Sequence, residues 1–409
     1  MGRVGRFILK VAAVLILIVS AGTFALSLFT GETRNGDNLQ SEFDYLITVG
    51  ISQSGEESSW KDANTASFMD TFVKSNGYEA VYADAGSDQE KQIEDVEGFI
   101  KQGVDYIILN PISEIGWDDV LEDAKKAHIP IILVNNGVDT DDSSLYSCML
   151  GSDYGKQMKK AGKWLDEYLS LLNCLYLLPY LHCPSVPILP ESVPQKPPFL
   201  SLPFSRPLLS DIHPTIFDKI MKSSSTAKDE TDSTEEEQTE EDFTIKIAAI
   251  QESIGSEEQL MRAQGYQTML ERYSDWEMVA QQTGDNSREE AEKVMKLFLE
   301  QEPDLRVVFA ESDEMALGAI DAIGKSGKTC GEDGDIIVIS FGGSKAGIEA
   351  VKEGKLNVTF ECNPGQGPKA AELIQRLESD ISIDKEQYVE ETYFDETMDL
   401  NEIIENRTY

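Results

Sequence analysis

A rhythm constrains this chain more than any other feature. Short, almost continuously apolar runs alternate with longer amphipathic stretches from residue 46 onward. Leu46 to Ile51, Ala80 to Ala83, Tyr106 to Leu109 and Ile131 to Val134 are apolar at nearly every position, as strands of a parallel sheet covered on both faces must be. The stretches between them, opening at Trp60, Gln89 and Trp117, carry apolar residues at helical spacing; Ile93, Val96, Phe99 and Ile100 share one face of the second. A helix over 153–168 closes this half. The rhythm resumes at Ile245 to Ile250, with helices expected over 257–273, 288–301, 314–326, 345–353 and 367–378. The strands of this half are expected over 278–281, 307–310, 336–340 and 356–361. Two βαβ runs with right-handed crossovers predict two doubly wound parallel α/β lobes with a ligand cleft between them.

The interruption is compositionally foreign. Residues 170–217 hold ten of the 15 prolines, two of the three histidines and only two acidic residues. Such proline density argues against a helix or a central strand. Residues 222–242, rich in Ser, Thr, Glu and Asp, read as disordered. The whole of 170–243 is therefore expected to be an irregular insertion. It carries no functional motif.

At the other end of the chain, Arg3, Arg6 and Lys10 precede 19 uncharged residues, Val11 to Phe29. This is a secretory signal or a membrane anchor, and the basic flank keeps the N-terminus cytoplasmic while the remainder is exported. No small-x-small cleavage site closes the run, which favours an uncleaved anchor.

Charge and motif searches exclude several classes of function. With 35 basic against 74 acidic residues the net charge is −39, so nucleic acid is a poor partner. The five cysteines (148, 174, 183, 330 and 362) show no Cys-x-x-Cys spacing, hence no disulfide framework or zinc site is expected; a Cys174–Cys183 pair remains open. No Gly-x-Ser-x-Gly, His-Glu-x-x-His or P-loop occurs, and the three histidines offer no plausible base. No enzyme, metal or cofactor is expected. The loop after the first strand, Ser52 to Ser59, is not Gly-x-Gly-x-x-Gly. Its hydroxyls and amide, followed by Trp60, suit a neutral polyol better than a phosphate. The competing reading is a serine-rich turn with Trp60 in the core.

Four stretches carry a family resemblance: Val49 to Trp60, Asn110-Pro111 to Trp117, Phe309 to Ala319 with Asp313 and Gly318, and Gly354 to Pro364. They resemble the type I periplasmic sugar-binding proteins that serve ABC importers, over residues 45–168 and 245–400. The paired Trp60 and Trp117 and the Glu361-x-x-Pro364 turn are most similar to the galactofuranose-binding branch; the ribose-binding proteins are also similar. The resemblance implies two lobes closing about a three-crossover hinge, with crossings near Gly151, Glu361 to Pro364 and Tyr393. Residues 1–42 would be anchor or signal and tether, 43–150 plus 364–392 lobe I, 151–362 lobe II with the insertion, and 393–409 a tail.

Carried over by position, the resemblance implies a ligand site of Ser52, Gln53, Glu57, Ser58, Trp60 and Lys61 from the first loop and helix. Trp117, Asn135 and Asn136 complete lobe I, and Arg262, Asn286, Ser312, Gly342 and Glu361 complete the site. Several positions depart from the family pattern. Lys61 and Ser312 replace an arginine and an asparagine, and Asn286 stands where an aromatic is frequent. Asn135-Asn136 stand for Asp-Arg, and Gly342-Gly343 for Asp-Gly. The last two remove charged hydrogen bonds, each worth about 1.5–3 kcal/mol. Other readings compete at single positions. Both tryptophans suit helix-start cores, Arg262 suits a solvated face, Glu361 suits a hinge, Asp313 suits a helix cap, and Asn135 to Gly137 suit a turn. The partners implied are a monosaccharide such as galactofuranose or ribose and an ABC permease; the alternative is a membrane-tethered sensor reporting sugar to a histidine kinase. Either role is extracytoplasmic.

Overall fold

The computed structural model describes residues 46–55, 58–181, 244–332 and 334–409. Glu57, the run Val11 to Phe29 and residues 182–243 lie outside them. Among the described residues twelve strands form two six-stranded sheets. The first contains β1 (Ile47–Gln53), β2 (Tyr78–Asp84), β3 (Tyr106–Leu109), β4 (Ile131–Val134), β5 (Cys148–Gly151) and the late strand β11 (Glu386–Tyr388). The second contains β6 (Ile245–Gln251), β7 (Trp276–Thr283), β8 (Val307–Ala310), β9 (Ile337–Gly342), β10 (Val358–Glu361) and β12 (Tyr393–Asp395). Their orders correspond, β2-β1-β3-β4-β5-β11 and β7-β6-β8-β9-β10-β12. Every pairing is parallel except that of β10 with β12.

Each sheet is sandwiched by helices because successive residues of each strand feed opposite cores. Ile108, Ile132 and Val134 pack on one side of the first sheet with Phe68 and Leu373. Ile107, Leu109, Ile131 and Leu133 pack on the other with Phe99 and Leu121. The second sheet divides in the same way: Ile250, Val308 and Val338 face one cluster, while Ile247, Phe309 and Ile339 face the other. Each such side chain, fully buried, contributes about 1.5–3 kcal/mol.

The helices are α1 (Ser59–Thr71), α2 (Gln89–Gln102), α3 (Asp118–Lys126), α4 (Tyr154–Leu181), α5 (Glu257–Arg272), α6 (Arg288–Gln301), α7 (Asp313–Lys325), α8 (Lys345–Lys352), α9 (Gly367–Glu378) and α10 (Leu400–Asn406). Helix α4 corrects the sequence expectation, since it runs to Leu181 and includes residues 170–181 of the stretch expected to be irregular. The reason is local. The first proline, Pro179, lies two residues before the helix end, and Leu171 to Leu178 is rich in leucine, a strong helix former. Among the described residues no helix is long and apolar enough to cross a membrane.

The chain passes from one sheet to the other three times: between β5 and α4, between β10 and α9, and between β11 and β12. One carboxylate joins all three passages. Glu391, from the third, accepts hydrogen bonds from Ser152 Oγ at 2.6 Å in the first and from Asn363 N at 3.1 Å in the second. Gln157 Nε2, at the start of α4, donates to it at 2.8 Å. Burial pushes the Glu391 carboxyl above its ordinary range, and these hydrogen bonds pull it back.

Candidate functional site

In doubly wound sheets the carboxyl ends of the strands and the helix N-termini that follow them form the ligand crevice. Both lobes direct those ends into one cleft of about 780 Å³, within the range of roughly 300–1,000 Å³ usual for small-molecule sites.

Lobe I contributes the β1–α1 loop and the ends of β3 and β4. Ser58 caps α1, its Oγ accepting from Lys61 N at 3.2 Å; the hydroxyl proton is left to donate. Trp60 lines the cleft and donates its indole N–H to Cys362 O at 2.7 Å, which fixes the ring on the second interlobe passage. Lys61 reaches Ser54 Oγ at 2.9 Å. Asn135 and Asn136 line the same wall; Asn135 Oδ1 accepts from Gln366, and Asn136 Nδ2 donates to Pro111 O at 3.0 Å.

Lobe II contributes a carboxylate-rich wall around one arginine. Arg262 is 2% exposed. Its guanidinium lies between the rings of Tyr154 and Phe341, 4.9 and 4.6 Å from their centroids, and Nη1 donates to Glu311 O at 3.1 Å. This stacked plane is the cation–π use to which arginine is suited. Around it stand Glu252, Glu258, Glu311 and Glu314. Burial, reinforced by the neighbouring charge of Glu258, pushes Glu252 up to about 8. Burial also raises Glu311 above its ordinary range, against the pull of Arg262. Cys362 is pushed up to about 12 by burial and is therefore a neutral thiol at physiological pH.

The structure brings Ser58, Trp60, Lys61, Asn135 and Asn136 together with Arg262, Asn286, Ser312 and Gly342 around one cavity. It places four expected residues elsewhere. Trp117 is 1% exposed in the core of lobe I, its indole N–H bonded to Ser113 O at 2.6 Å. An apolar ring at the start of α3 gains more from that core than from a wet cleft. Ser52 and Gln53, 1% and 5% exposed, lie behind the cleft wall, because β1 is central in its sheet and its end is covered. Glu361 does not line the cavity. Its carboxylate pairs with Arg407 at 2.9 Å and accepts from Thr392 N at 3.3 Å, since β10 delivers it beside the C-terminal segment.

Two local readings are also corrected. Ser312, not Asp313, caps α7, its Oγ accepting from Met315 N at 3.3 Å. Asp313 is instead a buried hub, accepting from Ser340 Oγ at 2.5 Å, Thr359 Oγ1 at 2.7 Å and Ser344 N at 2.7 Å. Arg262 has no solvated face. Gly342 has a physical requirement for its lack of a side chain: its φ is 140°, and a Cβ would come within 2.7 Å of Asp313 Oδ2.

The sequence reading missed Glu252, Glu258, Glu311, Tyr154, Phe341 and Tyr409, all of which line the cleft. Position within two residues of the end of a predicted strand was the available signal for Glu252 and Glu311. Tyr409 had none, because only folding brings the C-terminus there. Among the described residues no group of three or more His, Cys, Asp or Glu side chains is arranged to hold a metal ion.

Two lobes, three interlobe passages and a polar, aromatic-bearing cleft define a two-lobed solute-binding protein. The chain belongs to the periplasmic binding protein domain family, whose profile matches residues 49–171 and 227–379. It is 24% identical over 337 residues to the galactofuranose-binding protein YtfQ of Escherichia coli (strain K12), covering 82% of this chain and 83% of that one. A crystal structure from Mycobacterium smegmatis in complex with β-D-fucofuranose is 27% identical, covers 88% of this chain and 94% of that one, and has a TM-score of 0.60. The binding component of the arabinose ABC transporter from Shewanella sp. ANA-3, bound to α- and β-L-arabinofuranose, is also 27% identical. It covers 88% of this chain and 95% of its own, with a TM-score of 0.61.

Proposed function

We propose that this protein captures a monosaccharide between its two lobes outside the cytoplasm and presents it to an ABC permease. The observation that carries the reading is the composition of the cleft. Lobe I offers hydroxyls, amides and an indole, while lobe II offers carboxyl groups and a stacked guanidinium. Sugar hydroxyls need such paired donors and acceptors, and a C–H face needs a flat aromatic partner. Furanose sugars bound by relatives make a furanose or pentose the first ligand to try.

We assign the contacts to Ser58, Trp60, Lys61, Asn135, Asn136 and Arg262, with Asn286, Ser312 and Gly342 at the edge of the same cavity. Lobe I is assigned to 43–150 plus 364–392 and lobe II to 151–362 plus 393–409; the last stretch, expected to be a tail, goes with lobe II because β12 pairs with β10 and Phe394 and Leu400 pack in that sheet's core. The N-terminal segment is assigned the role of keeping the protein at the membrane; membrane fractionation of cells expressing the full chain tests that assignment.

The main test is thermal unfolding of the purified full-length chain with a panel of pentoses and hexoses. A ligand at 100 times its Kd stabilises the folded state by about 2.7 kcal/mol, an upward shift of several degrees. No shift with any sugar of the panel refutes the reading. Co-purification with a permease, and not with a histidine kinase, tests the transport role.

A further inference from the structure

Three buried side-chain amides form a directional chain from the second interlobe passage to the cleft. Asn64 Nδ2 donates to Pro364 O at 2.9 Å, Gln53 Nε2 donates to Asn64 Oδ1 at 3.1 Å, and Asn110 Nδ2 donates to Gln53 Oε1 at 2.9 Å. Amide nitrogen and oxygen are ordinarily assigned from the surrounding network. One end of this network is not adjustable, because a backbone carbonyl can only accept. Pro364 O therefore obliges Asn64 to present its NH₂, which turns Asn64 Oδ1 toward Gln53, and the same logic passes to Asn110.

The chain ends at Asn110 Oδ1, a buried acceptor with no partner among the described residues. Asn110 is 2% exposed and lines the cleft. Its backbone is held on both sides, with N donating to Ser52 O at 3.0 Å and O accepting from Gln92 Nε2 at 2.7 Å. The side chain thus sits on a fixed support with fixed polarity. A neighbouring asparagine lacks such an anchor. Asn135 bonds Gln366, but Asn135 Nδ2 and Gln366 Oε1 are both without partners, so exchanging the two amide ends keeps their bond.

We propose that Asn110 Oδ1 is an obligate acceptor for one ligand hydroxyl, and that Gln53 and Asn64 are positioning residues that enforce this polarity from the interlobe passage. The inference rests on the carbohydrate reading and refines it: the ligand must donate at this point, so a sugar with that hydroxyl removed or methylated is rejected. A buried acceptor that loses its donor weakens binding by about 10–100-fold.

The test has two arms on the full-length protein. In the first, D-ribose, L-arabinose, D-galactose and D-fucose are titrated calorimetrically, together with the monodeoxy derivatives of the tightest binder. The wild type is expected to bind one derivative about 10–100-fold more weakly than the parent. In Asn110→Ala, and in Asn64→Leu, which releases the chain at its anchored end, that ratio is expected to fall to within about threefold. An unchanged ratio in both variants, or equal affinity for parent and all derivatives, overturns the proposal.

The second arm needs no sugar: side-chain amide signals of Asn110 and Gln53 are followed by NMR. Asn64→Leu is expected to shift both signals and speed their exchange; signals left in place overturn the relay. A protein whose amide signals behave as expected but which binds no sugar of the panel overturns the carbohydrate reading, and with it the ligand half of the inference.

Discussion

Glu252 makes the folding stability of this protein depend on pH in a direction that its burial fixes. Buried in the lobe II wall, and next to Glu258, its carboxyl is pushed up from 4.5 to about 8. Between those values the folded chain holds a proton that the unfolded chain releases, so stability falls as pH rises through the window. The displacement from 4.5 to about 8 corresponds to a ceiling of about 5 kcal/mol, at about 1.36 kcal/mol per tenfold change in proton affinity. Solvent screening at the half-open cleft relieves part of it, leaving on the order of 2–4 kcal/mol.

Glu252→Gln removes the titration while keeping size and polarity. The variant and the wild type should unfold at nearly the same temperature at pH 4.5, and the variant should pull ahead steadily to pH 8.5. At about 2–4 °C per kcal/mol the separation reaches on the order of 5–15 °C. The assay is paired calorimetric melts in matched buffers. Glu311, Asp313 and Glu391 are also raised and are common to both chains, so the difference reports Glu252 together with its coupling to Glu258 and Glu311. Melting profiles that stay parallel from pH 4.5 to 8.5 refute the reasoning.

Other sites give sharper single measurements. Trp60→Phe removes the indole donor to Cys362 O and should weaken the best panel sugar about tenfold, as a lost hydrogen bond of about 1–2 kcal/mol requires; calorimetric titration measures it, and unchanged affinity rejects the role. Glu391→Ala leaves Ser152 Oγ, Gln157 Nε2 and Asn363 N without their shared acceptor. It should cost about 2–4 kcal/mol in urea unfolding. Gly367→Ala would place a Cβ 2.2 Å from Ser67 O, whereas Gly324→Ala meets nothing within 4 Å. The first should destabilise by about 1–3 kcal/mol and the second should stabilise by about 0.5–1 kcal/mol, so equal melting points for the pair would contradict the close packing of α9 on α1.

What was legible in the sequence was periodic. Helices α2 and α6 and strands β3, β4 and β8 lie on the residues that apolar spacing assigns, because a buried strand or helix face writes its period into nearby residues. The two-lobed α/β class follows from that rhythm alone. Strands β11 and β12 and helix α10 were not legible. Three residues such as Glu386-Gln-Tyr388 or Tyr393-Phe-Asp395 are too few to show a period, and only a sheet edge already in place selects them.

The cleft divides along the same line. Loop residues next to clear strands, such as Ser58 and Trp60, could be found by reading along the chain. The fates of Trp117, buried in the lobe core, and of Arg262, stacked between Tyr154 and Phe341, depend on partners that only the tertiary structure supplies. So does the amide chain, in which Asn64 meets Pro364 across 300 residues of sequence. Local chemistry decided which segments become strands and helices; long-range packing decided which polar atoms are left facing the ligand.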